Sequence, residues 1–263
     1  MNLTTFFLKL IAANPVEVIC DVGSMDGSQA KLFRRACPSA RIVAFEANPR
    51  NFELMKQDPD FRTDRIELSP LAVSNKKGET VFFVDVKDYS GGQNRGTSSL
   101  FPGGGTAEEV TVGCTTLADL FAGELGRQTT FALWIDVEGA GIEVLEGAGT
   151  LLESVRLIHI EVESAPLRQG QRSQEAVHSF LTGKGFELLA EEQFPIRGDS
   201  KTFVANRVYV SAQARRDGLR GVGAARFWAQ LVETLAIQSV LCRILPKRAY
   251  MACKSLYARW VAG

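Results

Sequence analysis

The chain has 263 residues, 45% hydrophobic and 23% charged, and its 30 basic side chains are matched by 30 acidic ones. This is an ordinary globular composition, and a chain this long buries a core without disulfide or metal staples. Its five cysteines are odd in number and none stand at C-x-x-C spacing, which excludes a disulfide framework or zinc knuckle and fits a reducing cytoplasm.

The zero net charge is unevenly spread. From Ala212 onward nine Lys and Arg face only Asp217 and Glu233, so the last 52 residues sit near +7 and the body near −7. The expected organisation is a domain over residues 1–211 and a basic tail over 212–263. No uncharged stretch approaches the roughly 18–20 residues that a membrane span needs.

In chain order, Leu3, Phe6, Phe7, Leu10 and Ile11 follow helical spacing, with Lys9 inside the run and no basic leader. This predicts a packed first helix rather than a signal peptide. Glu17–Val22 is a short apolar run ending in Asp-Val-Gly, a buried parallel strand, and a helix follows over Gly27–Ala36. Arg41–Glu46 is a second strand. Asn48 caps the next helix, with Pro49 at its first position. Arg65–Leu68 and Leu71–Val73 predict a third strand running into a turn, and Thr80–Val86 another strand. Residues 87–107, rich in Gly, Ser, Asn and Thr, predict a long loop. Val110–Cys114 is a strand, and Thr116 caps a helix through Ala122. Phe131–Val137 is a strand and Ile142–Gly147 begins a helix. Leu157–Val162 is a strand, Ser173–Gly183 a helix, and Phe186–Ala190 with Val204–Val210 a closing strand pair. Strands alternating with helices imply a doubly wound α/β fold on a mostly parallel sheet, with ligands at the carboxyl ends of its strands.

Three constellations fall at those ends. In Asp21-Val-Gly23-Ser24-Met-Asp26-Gly27 two glycines allow a sharp turn and close ligand approach. The N–H groups of the following helix face a carboxylate. The G-x-x-x-G spacing differs from the G-x-G-x-x-G of a dinucleotide site. It suits a ligand with an amino-acid end, with Asp21 receiving its ammonium; a tight turn with no ligand is the plainer reading. Glu46, about 20 residues on, can accept two ribose hydroxyls. Asp136-Val-Glu138-Gly places two acids after a strand, Glu138 being read either as functional or as a helix cap.

These motifs in this order resemble the FkbM-type methyltransferase family. Phe45-Glu46-Ala47-Asn48-Pro49 resembles its Phe-Glu-Pro-Asn-Pro, and Ala72-Val73-Ser74 its Ala-Val-Ser turn. Ser98-Ser99-Leu100 resembles its Ser-Ser-Leu loop, Thr116–Leu120 its Thr-Leu-Asp segment, Ile135–Ala140 with Val144–Ala148 its Asp-Val-Glu-Gly-Ala block, and Ile160-Glu161-Val162 its late acidic strand. The match covers roughly residues 17–165. Met25 replaces the family's Asn, Ala47 its Pro, Trp134 its Lys and Gly141 its Glu.

The resemblance implies a class I, Rossmann-like fold with a seven-stranded sheet and a C-terminal helical extension, and S-adenosylmethionine as cofactor. It implies O-methylation of a sugar, glycan or natural-product hydroxyl. It implies cofactor contacts at Asp21, Gly23, Ser24, Asp26, Gly27, Glu46, Ala47, Asn48, Leu71, Ala72 and Asp136. Ser98 and Ser99 would offer hydroxyls to the acceptor.

A sugar hydroxyl is a poor acid, so a base is expected. His159 lies in an apolar strand and reads as a satisfied core residue, and His178 as solvent-facing on a polar helix. This leaves Asp136, Glu138 and Glu161 as the catalytic candidates, with Glu163 a further strand-end acid. Oxygen ligands suit magnesium or calcium, but no spacing is specific enough to claim a metal.

A nicotinamide-linked dehydrogenase shares the layout, though not the glycine spacing, and a cofactor-binding module without catalysis is the other alternative. Nucleic-acid methylation is not expected, because Asp136-Val-Glu-Gly offers no aromatic platform for a flipped base. In the tail, Trp228, Leu231, Val232, Leu235, Cys242 and Leu245 repeat at helical spacing up to Pro246. Tyr250, Cys253, Tyr257, Trp260 and Val261 form a second stripe among basic residues. That pattern fits docking on the body, a homodimer, or peripheral contact with an anionic membrane by a cytoplasmic protein.

Overall fold

The computed structural model describes residues 2–85, 96–103, 107–124, 128–195 and 202–220. The expected tail helices lie outside the described residues.

A seven-stranded sheet organises the chain, in the order β3-β2-β1-β7-β8-β10-β9. Its strands are β1 (Val18–Val22), β2 (Arg41–Phe45), β3 (Ile66–Ser69), β7 (Phe131–Ile135), β8 (Val155–Glu163), β9 (Phe186–Pro195) and β10 (Phe203–Ser211). β3, β2, β1, β7 and β8 run parallel. β10 is antiparallel to both β8 and β9. The chain order reverses direction between β1 and β7, the switch point at which doubly wound sheets bind ligands.

The central strands β1 and β7 are buried at every position, so they read as apolar runs without alternation. One face packs Val18, Cys20, Val22, Leu133, Ile135, Ile158 and Ile160 with Leu117, Val144, Leu145, Val177 and Leu181. The last five come from α5 (Leu117–Leu120), α6 (Gly141–Ala148) and α7 (Gln174–Gly183). The opposite face meets α1 (Leu3–Ala13) and α2 (Ser28–Ala36). There Phe7, Phe33, Trp134 and His159 form an aromatic cluster. Trp134 and His159, paired across β7 and β8, stack with centroids 3.4 Å apart and ring planes 2° from parallel.

Helix boundaries follow local chemistry. Asn2 caps α1, and Asn48 caps α3 (Pro49–Gln57), which carries proline in its first turn. Ser173 caps α7. α4 (Asp60–Thr63) is a single turn that the sequence pattern does not announce.

The chain leaves the main sheet at Pro70, which lacks an N–H to continue the ladder. Leu71–Val73 therefore does not extend β3 into a turn: β4 (Ala72–Val73) joins a second sheet, ordered β4-β6-β5, with β5 (Gly78–Asp85) and β6 (Ala107–Thr115). The helix expected through Ala122 stops at Leu120 and continues as a 3₁₀ turn over Ala122–Glu124. α8 (Ala212–Arg216) packs on β8 and β10, and the first compact unit runs Met1–Gly221. The first ten residues assigned above to the tail therefore belong to the sheet-bearing unit.

Candidate active site

The carboxyl ends of β1, β2 and β7 are laced together. Gly23 N and Ser24 N donate to Phe45 O at 3.0 and 2.9 Å, Asp136 N to Val22 O at 2.9 Å, and Glu46 N to Ser69 O at 3.0 Å. Gly23 has φ +85, and a Cβ there would lie 1.8 Å from Asp136 O. Only glycine allows β1 to turn this tightly against β7.

Beside that turn opens a cleft lined by Gly23, Met25, Glu46, Ala47, Leu71, Ala72, Phe82, Ser98, Leu100, Asp136 and Val137 among others. Its floor is the main sheet. Leu71, Ala72 and Phe82 bring an apolar wall from the second sheet and its approach. The apolar wall and the acids at its ends fit a ligand with a flat heterocycle, a ribose and an amino-acid tail.

Glu46 is 5% exposed. Its Oε2 accepts from Met25 N at 2.6 Å and its Oε1 from Asn48 N at 2.7 Å. Burial pushes its pKa up to about 7 against these hydrogen bonds. Asn48 faces Ser98, its amide donating to Ser98 Oγ at 3.3 Å.

Carboxylates gather next to the cleft. Asp136, Glu138 and Glu161 place one carboxylate oxygen each within 4.8 Å of one another. Such a triangle can share a proton or face a hard cation. Burial, then the neighbouring negative charges, raise Asp136 and Glu161 well above ordinary carboxylates. Burial likewise brings Glu138 and Glu163 to about 7, with Arg168 opposing it in both.

Not every sequence-assigned residue reaches this wall. Asp21 is fully buried, pairs across the sheet with Trp134, and accepts from Ser24 Oγ at 2.6 Å. Asp21 and Ser24 lie beneath the turn and do not line the cleft, and Asp21 Oδ1 is buried without a hydrogen-bond partner. Asp26 is exposed, and its Oδ1 accepts from Ser28 N at 3.0 Å at the start of α2. Gly27 packs under Phe61, where a Cβ would meet the ring at 2.1 Å.

Ser99 is 1% exposed, bridges to Phe83, donates from Oγ to Glu138 O at 2.7 Å and accepts from Phe101 N. Its hydroxyl is committed to the fold, so only Ser98 stands on the cleft. Glu138 does not cap α6, whose cap is Ala140; it adopts φ +50. His159 is buried but not satisfied, since neither ring nitrogen has a hydrogen-bond partner. Burial drives its pKa down to about 3. His178 is half-buried, with Nδ1 3.1 Å from the Tyr209 hydroxyl, rather than facing solvent.

The structure adds groups the motifs did not carry. Arg168, on the connection after β8, places Nη2 3.4 Å from Glu138 Oε2 and 3.8 Å from Asp85 Oδ2. Gln171 bonds Glu163. Arg168 and Gln171 sit in a polar connection that no motif marks. Asp85 ends a strand with no turn signal.

The sequence pattern of the methyltransferase FkbM domain matches residues 21–188. The 2-O-methyltransferase NoeI of Sinorhizobium fredii is 29% identical over 199 residues, 70% of this chain and 78% of that protein. The hexuronic acid methyltransferase AglP of Haloferax volcanii is 26% identical over 161 residues, and the match spans 60% of each protein. Among solved structures, an FkbM methyltransferase of Methylobacillus flagellatus aligns at TM-score 0.45 with 12% identity, over 73% of this chain and 43% of that one. The magnesium protoporphyrin IX methyltransferase of Synechocystis with bound SAM aligns at 0.45 with 14% identity, over 80% and 78%. With the family pattern running from β1 into β9 and so enclosing the whole cleft, the chain belongs to the methyltransferase FkbM domain family and is an S-adenosylmethionine-dependent methyltransferase.

Proposed function

We propose that the protein methylates a hydroxyl oxygen of a sugar or glycan acceptor. The observation that carries this reading is the triangle of Asp136, Glu138 and Glu161 beside the Gly23–Glu46 cleft. Two relatives are named as a 2-O-methyltransferase and a hexuronic acid methyltransferase, which supports a sugar acceptor.

When bound, S-adenosylmethionine supplies an electrophilic methyl group on a sulfonium. Glu46 would accept the ribose hydroxyls through lone pairs that the Met25 and Asn48 backbone donors and the Asn51 side chain leave free. Leu71, Ala72 and Phe82 enclose the adenine, with Ala47 and Ser98 at the rim. Asp136 stands near the amino-acid end. Glu138 meets the acceptor and takes its hydroxyl proton, while Glu161, raised furthest of these acids, holds a proton within the triangle. A base with an acid constant near 7 is half ionised at neutral pH and still basic enough to be useful. In-line displacement requires the acceptor oxygen, the methyl and the sulfur to be collinear, so positioning carries much of the rate.

The deciding experiment is a screen of hydroxylated acceptors, sugars first, read as release of demethylated cofactor. Transfer to a sugar hydroxyl supports the reading. Cofactor binding without transfer to any acceptor favours a binding module. For the basic tail the reading is docking on the body or on a second copy, with peripheral membrane contact of a cytoplasmic protein as the competitor. Co-sedimentation with anionic vesicles at low salt, reversed by added salt, favours the membrane. Among the described residues no helix is long and apolar enough to cross one.

A further inference from the structure

Glu138 is held unusually firmly for a side chain on a connection. Its φ of +50 is strained for a residue with a Cβ, and such conformations persist where the surroundings over-determine them. Ser99 Oγ fixes its carbonyl at 2.7 Å. Arg168 approaches its carboxylate at 3.4 Å.

Arg168 is itself anchored. Its side chain is 8% exposed. Its backbone N–H donates to Gln171 Oε1 at 3.1 Å, and its guanidinium donates to Thr97 O. Asp85 Oδ2, 3.8 Å away, accepts from Thr97 Oγ1 at 2.7 Å. The same short segment, through Ser98, lines the cofactor cleft. One permanently charged nitrogen, Arg168 Nη2, thus joins the end of β5, the Thr97 carbonyl beside the cleft-lining Ser98 and the Glu138 carboxylate. A guanidinium is suited to this because its donors are fixed in one plane.

We propose that Arg168 is a positioning residue for methyl transfer, holding the Glu138 carboxylate toward the acceptor and locking it to the segment that roofs the cofactor cleft. This rests on the reading of Glu138 as the base. Arg168 acts through Glu138 and touches neither the reacting oxygen nor the cofactor.

The test uses Arg168→Gln, Arg168→Lys, Glu138→Gln and the Glu138→Gln/Arg168→Gln double variant of the full chain. Arg168→Gln is expected to lower kcat tenfold or more, with acceptor KM and the Kd for S-adenosylhomocysteine changing less than threefold. Arg168→Lys, which restores the charge, recovers part of the loss. The double variant is no slower than Glu138→Gln alone, because a group that acts only through Glu138 has nothing left to lose. Multiplying losses, a Kd that rises as far as kcat falls, or a Lys variant as slow as the Gln variant each overturn the proposal.

If the native protein methylates no hydroxylated acceptor, the O-transfer reading falls on its own. A carboxyl ¹³C titration then tests the contact without turnover, Glu138→Gln identifying the resonance. Asp136, Asp85, Glu161 and Glu163 also face Glu138 and stay in place in Arg168→Gln. The Glu138 midpoint moves to higher pH if Arg168 holds that carboxylate, and an unmoved midpoint overturns the proposal.

Discussion

Replacing Gly23, Gly78 and Gly147 by alanine separates backbone strain from steric conflict and both from cofactor binding. Gly78 has φ +114 and open space where a Cβ would go. Gly78→Ala therefore costs only the unfavourable dihedral, about 1–2 kcal/mol. Gly147 lies in α6, and its Cβ would stand 1.9 Å from Ser74 O. An ordinary contact begins at 3.4 Å, so α6 and the second sheet must part by about 1.5 Å, an overpacking cost of about 1–3 kcal/mol. Gly23 combines φ +85 with a Cβ 1.8 Å from Asp136 O, so the two costs add to about 2–5 kcal/mol. Urea unfolding measures all three, and each kcal/mol lowers Tm by about 2–4 °C for a domain of this size. Isothermal titration with S-adenosylhomocysteine then divides them. Gly78→Ala, away from the cleft, binds within threefold of the native protein, Gly147→Ala falls between because it shifts Ser74 beside the cleft-lining Val73, and Gly23→Ala opens the β1–β7 junction and loses at least tenfold. Native-like affinity in folded Gly23→Ala would refute the placement of the cofactor against that junction.

Glu46→Gln should weaken cofactor binding by about 1.5–3 kcal/mol, the worth of hydrogen bonds to a charged group, and calorimetry reads it directly. Because burial holds Glu46 near 7, native affinity should fall as pH drops below 7, and an affinity flat from pH 8 to 6 would count against the carboxylate as the ribose acceptor. For stability the sign is opposite. Glu46, Glu138 and Glu163 keep their protons up to about pH 7 in the fold but release them near pH 4.5 when unfolded. The folded state therefore binds more protons between those values, and stability falls as pH rises from about 4.5 to 7, which urea midpoints across that range will show. His159, depressed to about 3, works the other way, contributing stability above about pH 6.5 that is lost on acidification. His159→Phe keeps an aromatic ring against Trp134 and removes two unpartnered nitrogens. It should add about 1–2 kcal/mol, steepen the gain on acidification, and leave methyl transfer unchanged.

The centre of the main sheet was legible because β1, β2, β7 and β8 are largely buried apolar runs, ended by an acid or a glycine. The same two-sided burial hid the orientation of Asp21. In a half-exposed strand alternation reveals which side chains face which way, but Val18–Val22 is buried throughout. Nothing in the string marked that Asp21 faces the α2 side with Ser24 while Glu46 and Asp136 meet the cleft. His159 misled for a related reason. An apolar strand predicts burial correctly but says nothing about partners, and its partner surface is the aromatic cluster of Phe7 and Trp134. Arg168, Gln171 and Asp85 were invisible because they act through contacts between segments distant in sequence, where no spacing rule operates.

Strand geometry and carboxylate chemistry are one fact here rather than two. Parallel strands end together, so acids placed at successive strand ends converge whether or not they are near in sequence; Asp136 follows β7 and Glu161 lies in β8, adjacent strands in register. Bringing them together raises their proton affinity, which costs stability at neutral pH and, on the proposed function, supplies a base where a weakly acidic hydroxyl needs one. Relief of the stability cost would come most simply from more cations, yet among the described residues the ion pair that reaches these acids is that of Arg168 with Glu138. A site fully neutralised by arginines would be more stable and a poorer base. The incomplete neutralisation of the triangle is therefore what a proton acceptor at this edge of the sheet requires.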